Sequence, residues 1–317
     1  MNRKNPKLIN VFKITMIVML MGFYSCQHQI DLELPEDKKL VLLTNFTPEE
    51  YITVRLGTTS KLNQNTTHLP DENAVLELYQ NGEKIDQLEY RRDSQSETPF
   101  YISKFKPAIG EEYSIIGKYL DYPEIRSVDI IPPEITVRNT TLLSKDIYEN
   151  YTGNYTYDLS VEIELSEEDK KMEFFHIRFV DELDFYYLLN SDTIKHFVFP
   201  QEVFFKLADQ SVDHISLYHE PGILINRASL PDPSKIELDF NVINLPGLAI
   251  KGSFPIQIRS GSTHYYKFHK SVGEQEVTSA DNNNIFSIPS TLIYNNIENG
   301  IGNFSGYSCN TVDIKLK

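Results

Sequence analysis

Apolar and polar residues alternate along much of this chain with the period of two that marks half-buried strands. Lys39–Phe46 is an apolar run, Tyr51–Leu56 alternates, and Ala74–Tyr79 carries Val75, Leu76, Leu78 and Tyr79. Asn81-Gly82 follows between apolar runs, a strong hairpin signal, because both central residues of a tight primed turn need positive φ. Lys84–Tyr90 is the return strand, and Phe100–Phe105 and Tyr113–Leu120 form a further pair. Short strands at this spacing, without an amphipathic helix among them, predict a β-sandwich of immunoglobulin or transthyretin type over residues 38–133. Ile131-Pro132-Pro133 closes that unit, because proline cannot donate to a ladder.

Residues 134–317 predict a second β-rich unit. Tyr155–Leu165 alternates with Tyr157, Leu159, Val161, Ile163 and Leu165 on one face. Phe174–Val180, Phe185–Leu189, Phe197–Phe205, Lys235–Ile243 and Leu248–Ser260 also read as extended. One segment has helical period. In Ser262–Val272, Tyr265, Phe268 and Val272 fall on one stripe, with Ser262 or Thr263 as the N-cap and Gly273 as the stop. The fold class expected is mainly β, an N-terminal sandwich followed by a β-rich unit with one short helix.

The first 26 residues have a different pattern. Arg3, Lys4 and Lys7 precede an apolar run from Ile14 to Tyr24, and Ser25-Cys26 follows. That order predicts a secretory signal over residues 1–25. The run is well short of the ~20 apolar residues that span a bilayer. A cysteine at its end predicts a lipoprotein, cut before Cys26 and acylated on that sulfur, with residues 26–37 as a tether. Multiple acyl chains hold a soluble body stably on a membrane. Attachment to a membrane by this anchor is therefore the expectation.

Charge narrows the partners. The chain has 30 Lys and Arg against 45 Asp and Glu. Four of the basic residues and none of the acidic ones precede Cys26, so cleavage deepens the acidic excess. Such a surface argues against nucleic acid, which requires basic patches. Of two cysteines, Cys26 is assigned to lipid, which leaves Cys309 without a disulfide partner.

Catalytic and metal motifs are sparse. There is no nucleophile elbow, zincin helix, phosphate loop or dinucleotide-binding glycine pattern. His214 with Asp213 and His219, and His264 with His269, lack standard zinc spacing. No catalytic residue, metal site or cofactor is assigned. Paired aromatics are the better lead: Tyr186, Tyr187, Tyr265 and Tyr266 are candidate partner contacts, since tyrosine is favoured at interfaces.

Near the C-terminus, Asn296, Ile297, Gly300, Gly302 and Phe304 belong to a glycine-rich stretch between apolar anchors, which predicts a tight turn with close backbone packing. This stretch resembles the C-terminal signature of a family of Bacteroidota outer-membrane lipoproteins, the domain-of-unknown-function 4249 family. The resemblance extends to Ala74–Leu78 with Asn81-Gly82, Pro107–Tyr113, Phe174-Phe175 and His264–Tyr266. It implies an accessory lipoprotein beside a TonB-dependent receptor, binding substrate or the transporter, and it implies no enzymatic activity. A lipid-anchored adhesin or assembly protein is the alternative. The family motif residues Asn296, Gly300, Gly302 and Phe304 are expected to serve structure.

Overall fold

The computed structural model describes residues 39–59, 72–92, 98–149, 155–166, 171–179, 183–189, 192–198, 203–209, 211–244, 252–280 and 292–316. The leader, Cys26 and the tether 26–37 lie outside the described residues. Lys38–Lys317 forms one compact unit. It is mainly β, with several sheets and, among the described residues, one α-helix.

The strands of the N-terminal part are β1 (Leu40–Phe46), β2 (Thr53–Thr58), β3 (Val75–Gln80), β4 (Glu83–Gln87), β5 (Glu89–Arg91), β6 (Phe100–Ile102), β7 (Glu112–Lys118) and β8 (Ile125–Ile130). The remainder comprises β9 (Val137–Glu149), β10 (Tyr155–Leu165), β11 (Phe174–Phe179), β12 (Leu183–Leu189), β13 (Asp192–Val198), β14 (Val203–Leu207), β15 (His214–Leu217), β16 (Gly222–Asn226), β17 (Lys235–Asn244), β18 (Gly252–Gly261), helix α1 (Thr263–Ala280) and β19 (Ile301–Leu316). The run Phe197–Phe205, expected as one strand, divides between β13 and β14.

A nine-stranded sheet orders as β15-β16-β11-β18-β19-β1-β2-β6-β5. Two four-stranded sheets, β14-β17-β10-β9 and β4-β3-β7-β8, supply the other layers. β12 and β13 pair only with each other among the described strands. The centre of the large sheet is β19, antiparallel to β18 and parallel to β1. It therefore joins the N-terminal strands to the C-terminal ones.

Two apolar cores follow from strand alternation. One gathers Leu40, Leu42 and Phe46 of β1, Val54 and Leu56 of β2, Leu76 and Leu78 of β3, and Ile115 of β7. It also takes Ile297 and Phe304 from the C-terminal end of the chain. The other packs Leu159, Val161 and Ile163 of β10 and Ile236, Leu238 and Phe240 of β17 against Phe175, Ile177, Ile223, Ile225, Ile256, Ile258 and Ile314. Residues 131–136 carry the chain between the cores. Ile131 is buried in the first and Ile135 in the second. Ser308 donates to the Pro133 carbonyl at 2.9 Å and Asn310 to that of Ile135 at 2.9 Å, which fastens this connection to β19.

The Asn81-Gly82 hairpin forms as its chemistry requires: φ is 49° and 84° at the two residues, and Gln80 pairs with Glu83 across the turn. The helix begins where Ser262 predicts. Its hydroxyl accepts from the Tyr265 amide at 3.1 Å and its carbonyl from the Tyr266 amide at 3.0 Å. Gly273 does not stop the helix, which continues to Ala280. A Cβ at Gly273 would lie 2.7 Å from Leu217 Cδ2 and 3.1 Å from Ile215 Cδ1. The glycine is there because α1 lies close against β15, not because the helix ends.

Candidate functional site

Helix α1 covers the face of the large sheet opposite the second core. Odd and even positions divide the strands beneath it. In β11, Phe175 and Ile177 enter the core, while Phe174 and His176 face the helix. In β19, Phe304, Val312 and Ile314 face the cores, while Asn303, Ser305 and Tyr307 face the other side. Under the helix, Leu217, Leu224, Tyr265 and Tyr266 make a small apolar cluster with Phe174, Ile215 and Tyr307. Phe174 and Tyr266 stack with ring centroids 4.1 Å apart.

Tyr265 and Tyr266, proposed from sequence as partner contacts, are therefore core residues: Tyr265 is fully buried and Tyr266 is 7 % exposed. The Tyr266 hydroxyl donates to Asp213 at 3.2 Å, and Lys270 bridges to the same carboxylate. Tyr186 and Tyr187 lie on β12, opposite Lys195 and Ile194 of β13.

Beside this cluster lies a connected polar network. The turn after β15 supplies His219 and Glu220, α1 supplies His269 and Glu276, and β1 supplies Asn45. His219 approaches Glu276 Oε2 through Nδ1 at 3.1 Å and His269 Nδ1 through Nε2 at 2.8 Å. The two imidazoles stack with centroids 5.1 Å apart. His269 Nε2 lies 3.1 Å from Asn45 Nδ2. The same Asn45 amide donates to Glu220 at 3.2 Å. Its oxygen accepts from Asn303 at 2.8 Å and from Ser305 at 2.9 Å.

Arg259 of β18 closes the network. Its guanidinium pairs with Glu220, donates to the Tyr265 hydroxyl at 3.0 Å and lies 4.4 Å from the centre of the Tyr307 ring. The Tyr265 hydroxyl also meets His176 Nδ1 at 2.8 Å. His176 Nε2 is buried without a hydrogen-bond partner.

Burial sets the charges here. It pushes His269 down to about 3, against the upward pull of Glu220, so this imidazole is neutral above acid pH. Burial likewise lowers His176 well below the ordinary imidazole value, and the Arg259 charge adds to this. Burial alone would raise Glu220, yet its carboxyl is held below the ordinary value. With His269 neutral, the counter-charge is Arg259. A buried carboxylate–guanidinium pair of this kind is costly to break from one side.

A second anchor ties the helix to the N-terminal part. Asp129 on β8 accepts from the Ser262 hydroxyl and from the Gly306 amide at 2.9 Å. Burial raises the Asp129 carboxyl more than these hydrogen bonds lower it.

The glycine-rich stretch is built around strand pairing. Only Asn299 and Gly300 turn, whereas Gly302 and Phe304 already belong to β19. Gly302 has φ 130°, and a Cβ on it would stand 1.9 Å from the Leu42 carbonyl oxygen. At Gly300 a Cβ would meet Ile125 and Ile297 at 2.8 Å. Asn296 acts as a substitute strand: its amide donates to Phe304 O at 2.7 Å and accepts from Phe304 N at 3.0 Å. Asn295, which sequence reading left unassigned, accepts from Gly302 N at 2.9 Å and donates to Gly300 O at 3.1 Å.

The other two histidines with described side chains make separate contacts. His214 contacts the Val212 carbonyl at 2.7 Å and His264 the Tyr294 hydroxyl at 2.7 Å. Among the described residues, no three His, Cys, Asp or Glu side chains are disposed to hold a metal ion. Burial raises the Cys309 thiol to about 11. A cleft of about 280 Å³ in the N-terminal sandwich, lined by Ile52, Leu78, Ile85, Phe105 and Tyr113 among others, is smaller than most ligand pockets.

The family model described as Domain of unknown function (DUF4249) matches residues 27–312. The chain belongs to the DUF4249 family. A search of the curated proteins finds no match. Among solved structures, the chain is similar to CfaE, the adhesive subunit of the CFA/I fimbria of enterotoxigenic Escherichia coli. That similarity covers 89% of this chain and 88% of the other, at 9% identity and a TM-score of 0.21. In this DUF4249 protein, the family's C-terminal stretch is where β19 enters the sheet beside β1.

Proposed function

We propose that this DUF4249 protein is a lipid-anchored accessory of a TonB-dependent uptake system in a Bacteroidota outer membrane, where its β-rich body binds substrate or the transporter. The carrying observation is the order of a basic start, an apolar run and Cys26, followed by a long polar and acidic chain. The family match begins at residue 27, directly after that cysteine, which supports a boundary there. Among the described residues, no helix is long and apolar enough to cross a membrane.

The element best suited to docking is the β12–β13 hairpin. It pairs with no other described strand, and an isolated two-stranded hairpin is marginal in water. A partner that extends or covers it would stabilise both. Tyr186 and Tyr187 lie on this hairpin and remain the candidate contacts. A specific complex would bury about 1,200–2,000 Å².

Two experiments test the reading. Cys26→Ala is expected to release the protein from outer-membrane fractions, and wild type to incorporate labelled palmitate. A variant that stays in the membrane fraction, with an unlabelled wild type, overturns the anchor. A mild-detergent pull-down of natively expressed protein, read by mass spectrometry, is expected to recover a TonB-dependent barrel, less so with Tyr186→Ala/Tyr187→Ala. Recovery of the protein alone would favour the adhesin or assembly reading.

A further inference from the structure

The polar network under α1 contains a hydrogen-bond chain with one permitted direction. At one end, the Glu276 carboxylate can only accept, and it also receives the Tyr218 amide at 3.2 Å. At the other end, the Asn45 amide is oriented by its partners. Its nitrogen faces the Glu220 carboxylate, and its oxygen faces donors on Asn303 and Ser305. Between them stand two imidazoles, and a neutral imidazole has one donor and one acceptor. Asn45 therefore donates to His269 Nε2. His269 donates from Nδ1 to His219 Nε2, and His219 donates from Nδ1 to Glu276. Every link is satisfied in this direction and in no other.

We propose that this chain is a proton-responsive coupler, in which protonation of His219 loosens the parallel pairing of β1 with β19. The His219 side chain is 25% exposed, so solvent can deliver the proton. Once both of its nitrogens carry hydrogen, Nε2–H confronts Nδ1–H of His269. His269 can yield only by moving its proton to Nε2, where it confronts the Asn45 amide. Asn45 must then turn, which breaks its bond to Glu220, sets its nitrogen against the Asn303 amide nitrogen and reverses its bond with the Ser305 hydroxyl. Asn45 and Ser305 are register partners in the β1–β19 pair. A proton taken up beside the helix thus reaches the pairing that joins the N-terminal strands to the rest.

The surrounding charges keep the chain poised. His219 is faced by Glu276 and His269 from the helix, and Glu220 follows it in the turn. His269 is faced by Glu220, by Arg259 of β18 and by His176 of β11, whose ring centre is 6.3 Å away. The Tyr265 ring lies 4.2 Å from His269, and Tyr307 lies under Arg259. Arg178 adds positive charge toward His176 and Glu220. Among the described residues, Glu220 is the carboxylate that acts on His269, and Arg259 already pairs with it.

The test is hydrogen exchange by mass spectrometry on the full chain at about pH 8 and about pH 5.5, corrected for intrinsic exchange, with His219→Gln beside wild type. Glutamine keeps an acceptor toward His269 and a donor toward Glu276 but takes up no proton. In wild type, acid is expected to speed exchange in peptides covering 40–46 and 301–307 roughly tenfold more than in the rest of the body, the factor carried by one lost buried hydrogen bond. H219Q should match wild type at the higher pH and lose this local excess, keeping only the body-wide acid loss that buried His269 and His176 impose. A local excess that persists in H219Q, or wild-type acceleration no greater in these two peptides than elsewhere in the body, overturns the proposal. If H219Q folds poorly, imidazole nitrogen spectra of wild type decide the matter. His269 must carry its proton on Nδ1 at the higher pH, and a proton on Nε2 overturns the proposal.

Discussion

The two faces of β19 obey different rules. At either end its even positions are apolar or lack a side chain: Gly302 against β1, Phe304 in the first core, and Val312 and Ile314 at the second, with Ser308 and Asn310 between them bonded to the connection 131–136. Its odd positions Asn303, Ser305 and Tyr307 meet Asn45, Arg259 and the helix. Burial drives the even face, and burial is non-directional, so neighbours can be exchanged for others of like volume. On the odd face Asn303 and Ser305 are as deeply buried, at 1% and 0% exposure. It is held by bonds that need particular partners at particular angles. One strand thus supplies bulk cohesion to both cores and a specific joint between them.

The largest expected effect lies on the apolar face. Phe304 is fully buried, with its ring centre 4.6 Å from that of Phe46. Phe304→Ala should cost about 3–5 kcal/mol. At ~2–4 °C per kcal/mol, the thermal midpoint should fall by roughly 6–20 °C. Ser305→Ala, one position along and facing the other way, removes one hydroxyl and should cost about 1 kcal/mol. Equal losses in paired thermal melts would show that the two faces do not differ as argued. Gly302→Ala should behave like the larger change, because its Cβ would meet backbone that cannot move aside.

The second effect separates the faces by pH. The His269 imidazole is held near 3 in the fold, against an ordinary value of 6.5. Between those values the unfolded chain binds more protons, so stability is complete above about pH 6.5 and falls as pH falls. The loss is ~1.4 kcal/mol per pH unit, or about 2 kcal/mol by pH 5. His176 acts in the same direction. Urea melts at about pH 7 and pH 5 should show this slope in wild type and a shallower one in His269→Gln. Phe304→Ala should lower both curves and leave the slope alone. A wild-type slope unchanged by His269→Gln would remove His269 from the acid response.

The apolar face was legible in the sequence, and the polar face was not. Tyr155–Leu165 alternates strictly and is β10 to the residue. Asn81-Gly82 and Ser262 act through neighbours within four positions, so a local reading reaches them. The helix shows where local reading stops. A stripe of Tyr265, Phe268 and Val272 was expected, yet Phe268 and Val272 are only half buried. The covered face is Tyr265, Tyr266, His269 and Gly273. A histidine and a glycine count as breaks in a hydrophobic pattern, although one is the centre of the polar network and the other a close helix–sheet contact. The network's remaining partners are further still: Asn45 and Ser305 stand 260 positions apart. No period within one chain announces such a pair. β8, β9, β15 and β16 also went unassigned: β8 carries Arg126 and Asp129, and β9 carries four charged residues and an irregular register.

The smallest effect concerns how firmly the helix is seated over the odd face. Gly273→Ala should raise helix propensity by about 1 kcal/mol. Against this, the new Cβ would press on Leu217 Cδ2 at 2.7 Å and on Ile215 Cδ1 at 3.1 Å. Overpacking costs about 1–3 kcal/mol. Both obstructing atoms are the ends of branched side chains, so part of the strain relaxes, and a net loss of about 1 kcal/mol is expected. The relaxation has a direction: Gly273 lies one turn from His269 and just under one turn from Glu276, so lifting the helix here lengthens the contacts of both with His219. Gly273→Ala should therefore lower the thermal midpoint by only a few degrees while weakening the pH dependence that His269 confers. A midpoint that rises would mean that the helix propensity gain wins and that α1 rides higher on β15 than these distances describe.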